Sequence, residues 1–339
     1  MTNNLKNKYL KLTPIENYSN YYPKIKKSIE VVKKDNYYIE PGISISGDAP
    51  KCFIRLYEYK RKHSKKSKPE KWDGYIAKTG HKWYPMESIT EYLLGRIGQE
   101  LNVNVAKQKI ALIGGQIRFL SKYFLSRDEI LVHGMEIYSD YLQNEDLIKH
   151  IEEKNLSRDI LTLQLTEEAV SHFFPENTST ILFKLVKLLL FDAFVGNNDR
   201  HFYNWGIIKN ITGRVDNYFS PIYDTARGLF WNYSEEKINS YINDSDLKSK
   251  LIKYVNNSRP KIGWDGETNI NHIKLVKLIY DNEFYCSKIE IKEFFDESNL
   301  KICFKLLDSE FFHLMSTKRR FLIKEYLKVR IEEISKQFT

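Results

Sequence analysis

The sequence predicts an α+β protein of two lobes, a small strand-rich one followed by a large helical one. Up to about residue 133, apolar residues fall in short, Gly-punctuated runs rich in β-branched and aromatic side chains. From about Gly134 they recur at helical spacing over long segments. No internal repeat and no low-complexity linker separates the halves, so 1–133 and 134–339 are expected to face one another across a cleft, where ligands often bind.

The first half justifies the strands one by one. "YYIEPGISISGDAPKCFIRLYEY" reads as strand, turn, strand. Lys60 to Gly74, "KRKHSKKSKPEKWDG", has many cations and no apolar spacing, the mark of an exposed loop. "GYIAKTG" resumes a short strand, and Met86 to Leu101 places Ile89, Leu93, Leu94 and Ile97 on one helical stripe. "NVNVAKQKIALIGGQIRFLSKYFL" returns to strands with Gly114-Gly115 as the hairpin turn. In the second half, helices are expected over Glu136 to Glu153, Arg158 to Phe173 and Thr178 to Val195. A polar loop region runs on through Tyr233, and further helices are expected over Asp246 to Asn256, Asn271 to Asn282 and Thr317 to Lys336.

Composition narrows the class. The 339 residues are 42% hydrophobic, with 23 Tyr and 19 Phe, enough for a substantial core. A net charge of +9 favours acidic partners such as nucleotides, nucleic acid or an acidic protein, and selects none of them. Three scattered cysteines, Cys52, Cys286 and Cys303, form no CxxC pair and no disulfide framework, which points to a reducing compartment. "MTNNLKNKYL" lacks a signal-peptide core. Ile181 to Val195 is too short and too charged to span a bilayer. The expectation is a cytoplasmic protein, or one exported as an effector without a signal peptide, with no membrane contact.

One stretch raises a chemical question. "VGNNDRHFYNWG", Val195 to Gly206, ends an apolar run with Asn, Asp, His and Asn at fixed intervals. Phosphoryl transfer from ATP needs oxygen ligands for divalent metal, a carboxylate to orient the attacking hydroxyl, a Lys on the phosphates with an acid to hold it, and backbone amides from a Gly turn. Asp199 can accept the hydroxyl hydrogen, and Asn204, five residues on, offers a metal ligand at the spacing of protein-kinase catalytic loops. Asp224 in "SPIYDTARG" offers a carboxylate that could bridge one or two metals, and His201 is cast as a structural brace. Lys78 ends a strand, as does the strand lysine of a kinase small lobe. Glu91 on the next helix can pair with it; Glu87, one turn earlier on the same face, competes. "SISGDAPK", Ser44 to Lys51, can offer Ser46, Gly47, Asp48, Ala49 and Lys51 to a phosphate. Lys122 and Phe124 complete the expected nucleotide contacts.

Each part alone has a plainer reading. Asn197-Asn198-Asp199 can be a helix-ending turn, since Asn tolerates left-handed conformations. Asp224 can be a turn residue, Lys78 a surface lysine, Glu91 a solvated helix face, and the Gly turn an ordinary one. The order decides: Gly turn, strand Lys, helix Glu, Asp-x4-Asn, then Asp, the order of one ATP site. The run Lys60 to Lys71 can contact DNA, RNA or an acidic protein, or can be a solvated loop; with no interleaved aromatic platform, direct nucleic-acid binding is not expected.

"GNNDRHFYNWG" with "PIYD" resembles the catalytic and metal-binding segments of HipA-like Ser/Thr kinases. "SISGDAPK" looks like that family's phosphate-binding loop and "EYLLGRIGQELNVNVA" like its regulatory helix and the strand after it. "DRH…NWG" and "HKWYPMESITEY" are closest to the compact CtkA-like members. The similarity runs from about Ser44 to Gly228 and more loosely to the C-terminus. It departs at Ala49, where the family loop usually has Gln, at Ser46 for a frequent Ala, and at "AKTG" for an LKP-type ending. The resemblance implies a two-lobed protein-kinase-like fold and ATP- and Mg²⁺-dependent transfer to a protein Ser or Thr. Asp199 would be catalytic, Asn204 and Asp224 metal ligands, and Lys78 the ATP-phosphate lysine. It also implies autophosphorylation at Ser44 or Ser46, a possible toxin role, and a helix-turn-helix antitoxin partner. The small extra subdomain of full-length HipA proteins is expected to be missing. A lipid or small-molecule kinase with a DRHxxN loop and a non-catalytic nucleotide-binding pseudokinase are the competing readings.

Overall fold

The computed structural model describes residues 10, 12–24, 29–40, 42–43, 45, 49–58 and 65–338. Six strands form the first sheet: β1 (Glu30–Val32), β2 (Tyr37–Ile39), β3 (Lys51–Leu56), β4 (Asp73–Lys78), β5 (Gln108–Ile113) and β6 (Gln116–Lys122), in the order β1-β5-β6-β4-β3-β2. Period-two alternation gives this sheet two apolar faces. Ile110, Ile117 and Phe119 face the helix α1 (Met86–Glu100), while Ala111, Ile113 and Leu120 join Ile54, Leu56 and Tyr75 on the other face. Gly114 and Gly115 both take positive φ, +60° and +82°, as a two-residue hairpin between right-twisted strands requires. α1 buries Ile89, Leu93, Leu94 and Ile97, the stripe read from the spacing.

The described segment before β1 straps this lobe to the other. Glu16 and Tyr18 donate their backbone N–H groups to the carbonyls of His81 and Lys82, and the buried Ser19 hydroxyl donates to the Tyr84 carbonyl at 2.8 Å. The Ser19 carbonyl in turn accepts from Glu235 N at 3.0 Å.

A second, three-stranded sheet, β7 (Glu129–His133), β8 (Gly206–Asn210) and β9 (Tyr218–Phe219), is antiparallel throughout. The helical part packs around α6 (Thr178–Val195), which is apolar on nearly every side and buried as a core helix.

Two expected helices are each broken in two. Glu136 to Glu153 divides into α2 (Gly134–Leu142) and α3 (Glu145–Glu153), because Gln143 turns left-handed at φ 52° and Asn144 caps the second piece by accepting from Leu147 N. Arg158 to Phe173 divides into α4 (Ser157–Ile160) and α5 (Leu163–Phe173). There Thr162 accepts from Leu165 N and its backbone bridges to Gly263. Thr178–Val195 has the expected limits. α8 (Leu247–Asn256), α9 (His272–Asn282) and α12 (Thr317–Ser335) fall where expected, while α7 (Glu235–Ile242), α10 (Lys288–Phe294) and α11 (Glu297–Ser309) are additions to the expected set. Among the described residues no helix is long and apolar enough to cross a membrane.

Candidate active site

α6 stops at Gly196, whose φ of +73° ends the helix and whose N–H donates to Asp192 O at 2.8 Å. The glycine, not an asparagine, therefore makes the left-handed turn. Asn197 and Asn198 anchor the start of the loop that carries Asp199 and Asn204. Asn197 donates its amide to Asp192 Oδ1 at 2.8 Å, and its carbonyl lies 3.0 Å from His272 Nε2. Asn198 Oδ1 accepts from Ser258 Oγ at 2.7 Å and Arg259 N at 3.0 Å. His272 is kept neutral, because full burial and the Arg330 charge hold its pKa well below the usual range.

Asp192, fully buried, holds Arg200 by Nε at 2.9 Å and Nη2 at 3.2 Å. Arg200 then donates Nη1 to the carbonyls of Asn204 and Tyr223, each at 2.8 Å, and Nη2 to Thr225 Oγ1 at 2.5 Å. One buried guanidinium thus brings the loop carrying Asp199 and Asn204 against the segment carrying Asp224. That segment is also stitched to the stretch after α1, since Ile222 accepts from Ala106 N at 3.0 Å and donates to Asn104 O at 2.7 Å.

Asp199 is partly buried and meets Arg227 Nε at 3.1 Å through Oδ2. Burial raises its pKa above the usual carboxylate range, against the pull of Arg227 and His201, and the charge of Asp224 adds to the rise. Asn204 donates its side-chain amide to Asp199 O at 2.8 Å. His201 braces the turn: its Nδ1 accepts from Tyr203 N at 3.3 Å and its Nε2 lies 3.2 Å from the Asn204 amide nitrogen.

Lys78 closes the site from the sheet side. Its buried Nζ lies 2.8 Å from both Glu91 Oε1 and Asp224 Oδ1. Glu87 packs instead against Gly80, so the pairing goes to Glu91. Burial pushes the Glu91 carboxyl up to about 7, against Lys78, with Asp224 adding to the rise. For Asp224 burial also raises the pKa, but Lys78, Lys51 and Arg200 together hold it down at about 2. Lys78 stays charged, because the two carboxylates outweigh its desolvation. Asp224 sits at φ 51°, an uncommon conformation for a non-glycine residue and one that clusters at functional sites.

The other expected residues have definite places. Lys51 lies opposite Lys78 in the β3–β4 register. Ala49 precedes that strand, and Ser44, Ser46, Gly47 and Asp48 lie outside the described residues. Lys122 pairs with Asp73 at 3.0 Å, and the Phe124 ring lies 5.9 Å from that of Tyr223. Of the Lys60 to Lys71 run, residues 60–64 lie outside the described set, and the Lys65 carbonyl accepts from Trp72 Nε1 at 3.0 Å.

Sequence reasoning passes over three residues the geometry makes central: Asp192, Arg200 and Arg227. Asp192 carries a signal, since it is the one acid in the apolar run of α6. Asp224 and Asn204 suit a magnesium ion that is bound mostly through phosphate oxygens: one is held ionised, and the other has its amide nitrogen committed to the loop. Among the described residues no group of three or more His, Cys, Asp or Glu forms a self-sufficient metal site.

The model of the HipA-like C-terminal domain matches residues 43–279. The crystal structure of the Helicobacter pylori proinflammatory kinase CtkA superposes with a TM-score of 0.67 at 16% identity, over 88% of this chain and 93% of that one. Shewanella oneidensis HipA, solved with HipB and its operator DNA, gives a TM-score of 0.47 at 12% identity, over 88% of this chain and 65% of that one. No curated protein matches the sequence. The fold is the two-lobed α+β fold of the Helicobacter kinase, and the chain belongs to the HipA-like C-terminal domain family.

Proposed function

We propose that this chain is an ATP- and Mg²⁺-dependent Ser/Thr protein kinase of HipA type, with lobes dividing near residue 133. The observation that carries the reading is Lys78 held 2.8 Å from both Glu91 and Asp224, residues from three separate elements of the chain. A lysine held this way presents its charge to the α- and β-phosphates of ATP. The Asp199 carboxylate accepts the proton of the acceptor hydroxyl as its oxygen bonds to the γ-phosphorus; the bond to the β,γ-bridging oxygen breaks and ADP leaves with that electron pair. Asn204 and Asp224 would hold magnesium, which supplies neutralisation of the phosphate charge. Arg200 keeps both loops in register without touching the reacting atoms.

The test is phosphate transfer from labelled ATP. Asp199→Asn and Asp224→Asn should fold normally and lose transfer; retention of wild-type transfer by either would refute the assignment. Modification of Ser44 or Ser46 belongs to the same proposal. A phosphoserine there adds nearly two negative charges beside the ATP phosphates and should lower activity; phosphopeptide mass spectrometry after incubation with Mg-ATP reads it. The toxin role and the helix-turn-helix partner rest on the family resemblance. Growth arrest on induced expression, relieved by co-expressing such a partner, is the expected result.

A further inference from the structure

Segment 223–227 is gripped from two sides. On the buried side Arg200 holds the Tyr223 carbonyl and the Thr225 hydroxyl. On the open side Arg227 makes a two-point contact with the catalytic loop: its carbonyl accepts from Asn198 N at 3.3 Å, and its Nε meets Asp199 Oδ2 at 3.1 Å. Its guanidinium lies over the Trp231 ring, 5.7 Å from the centroid. The chain beyond is fixed in turn by the buried Arg319, which donates to the carbonyls of Phe230 and Tyr233 at 3.0 and 2.6 Å. The main chain on both sides of Arg227 is therefore held by buried arginines, and its half-exposed side chain reaches Asp199 from that base.

The two arginines do different work. Beside its ion pair with Asp192, Arg200 holds main chain and a hydroxyl, and of Asp199 the Asn204 amide holds the carbonyl. The Asp199 carboxylate itself is held by Arg227. Rotation about the last bond of an aspartate is soft, so without such a partner the carboxylate samples orientations unsuited to the acceptor. With Oδ2 paired to the guanidinium at 3.1 Å, Oδ1 is the second acceptor that the carboxylate can offer to a hydroxyl.

We propose that Arg227 is a positioning residue for Asp199, orienting its carboxylate for the acceptor, so that phosphate transfer depends on it and nucleotide affinity does not. This rests on the kinase reading. The opposite role is a latch that occupies Asp199 and must leave before the acceptor enters. The two roles predict opposite signs for the same variant.

The experiment compares wild type, Arg227→Ala, Arg227→Lys and Asp199→Asn for melting temperature, affinity for a fluorescent ATP analogue with Mg²⁺, and kcat for phosphate transfer. Arg227→Ala should keep its melting temperature and its nucleotide affinity within about twofold, and lose kcat by roughly 10- to 100-fold, the scale of an Å-sized misplacement. Arg227→Lys should recover part of the loss, since it keeps the charge but not the planar fork. Added guanidinium ion should partly restore Arg227→Ala but not Asp199→Asn, with sodium chloride of equal ionic strength as control. A kcat at or above wild type in Arg227→Ala would overturn the positioning role, as would a loss of nucleotide affinity in step with kcat. If wild type binds nucleotide yet transfers no phosphate to itself or to any protein offered, the kinase reading falls and this inference with it; if wild type transfers and Arg227→Ala matches it, this inference falls alone.

Discussion

Asp192 and Arg200 form an ion pair sealed from solvent, 2.9 Å apart with side chains 0% and 1% exposed. Two buried charges are costly to bring together, and removing one strands the other. Asp192→Ala should therefore destabilise the protein by roughly 3–5 kcal/mol, read as a shift in the urea midpoint. Asp192→Asn should cost less, because an amide still offers an acceptor to Arg200. Equal, small effects from both would mean that Arg200 has found another partner.

The lysine side of the site makes a separate prediction. Lys78→Met removes the cation between Glu91 and Asp224, and it should weaken binding of a fluorescent ATP analogue at least about tenfold, more than about 1.4 kcal/mol. Glu91→Gln should weaken it less, since Asp224 still holds the ammonium 2.8 Å away. If the two variants bind nucleotide equally well, Lys78 does not reach the phosphates.

The raised Glu91 carboxyl gives a pH dependence with a definite sign. Folding lifts its pKa from 4.5 to about 7, so between those values the folded state keeps a proton that the unfolded chain has released. Stability from this group is therefore present below pH 4.5 and is lost as pH rises towards 7. In metal-free protein, wild-type unfolding free energy should fall with pH across this window relative to Glu91→Gln, by on the order of 1–3 kcal/mol. Parallel curves for the two proteins would contradict the assignment.

Gly196 should tolerate no side chain. Its φ is +73°, and an added Cβ would lie 1.9 Å from the hydroxyl of the buried Tyr326. Gly196→Ala combines backbone strain with a clash and should cost more than about 1 kcal/mol. Tyr326→Phe removes the clashing oxygen, so Gly196→Ala should cost less in that background. Additive costs in the double-mutant cycle would show that the clash is relieved in some other way.

The amino-acid sequence by itself determined the order of the chemical parts and most of the regular elements, because both are local properties. The limits of α6 come from its apolar run and from Gly196. The β5–β6 hairpin comes from Gly114-Gly115, and the stripe on α1 from spacing alone. Where left-handed turns fall on residues other than glycine, as at Gln143, or where a threonine hydroxyl restarts a helix, as at Thr162, periodicity carries over the break and predicts longer helices than the chain forms.

Tertiary structure decided the pairings. Glu87 and Glu91 share one helical face, so spacing leaves both open; the way α1 docks on the sheet puts only Glu91 at Lys78. Asp192 reads as an interruption of a greasy helix until the chain turns and Arg200 comes back to it. Arg227 reads as an ordinary loop arginine until the segment after β9 lies along the loop that carries Asp199. A sequence pattern reports which face of an element avoids water, whereas the partner of a charge is set by which distant element packs against that face.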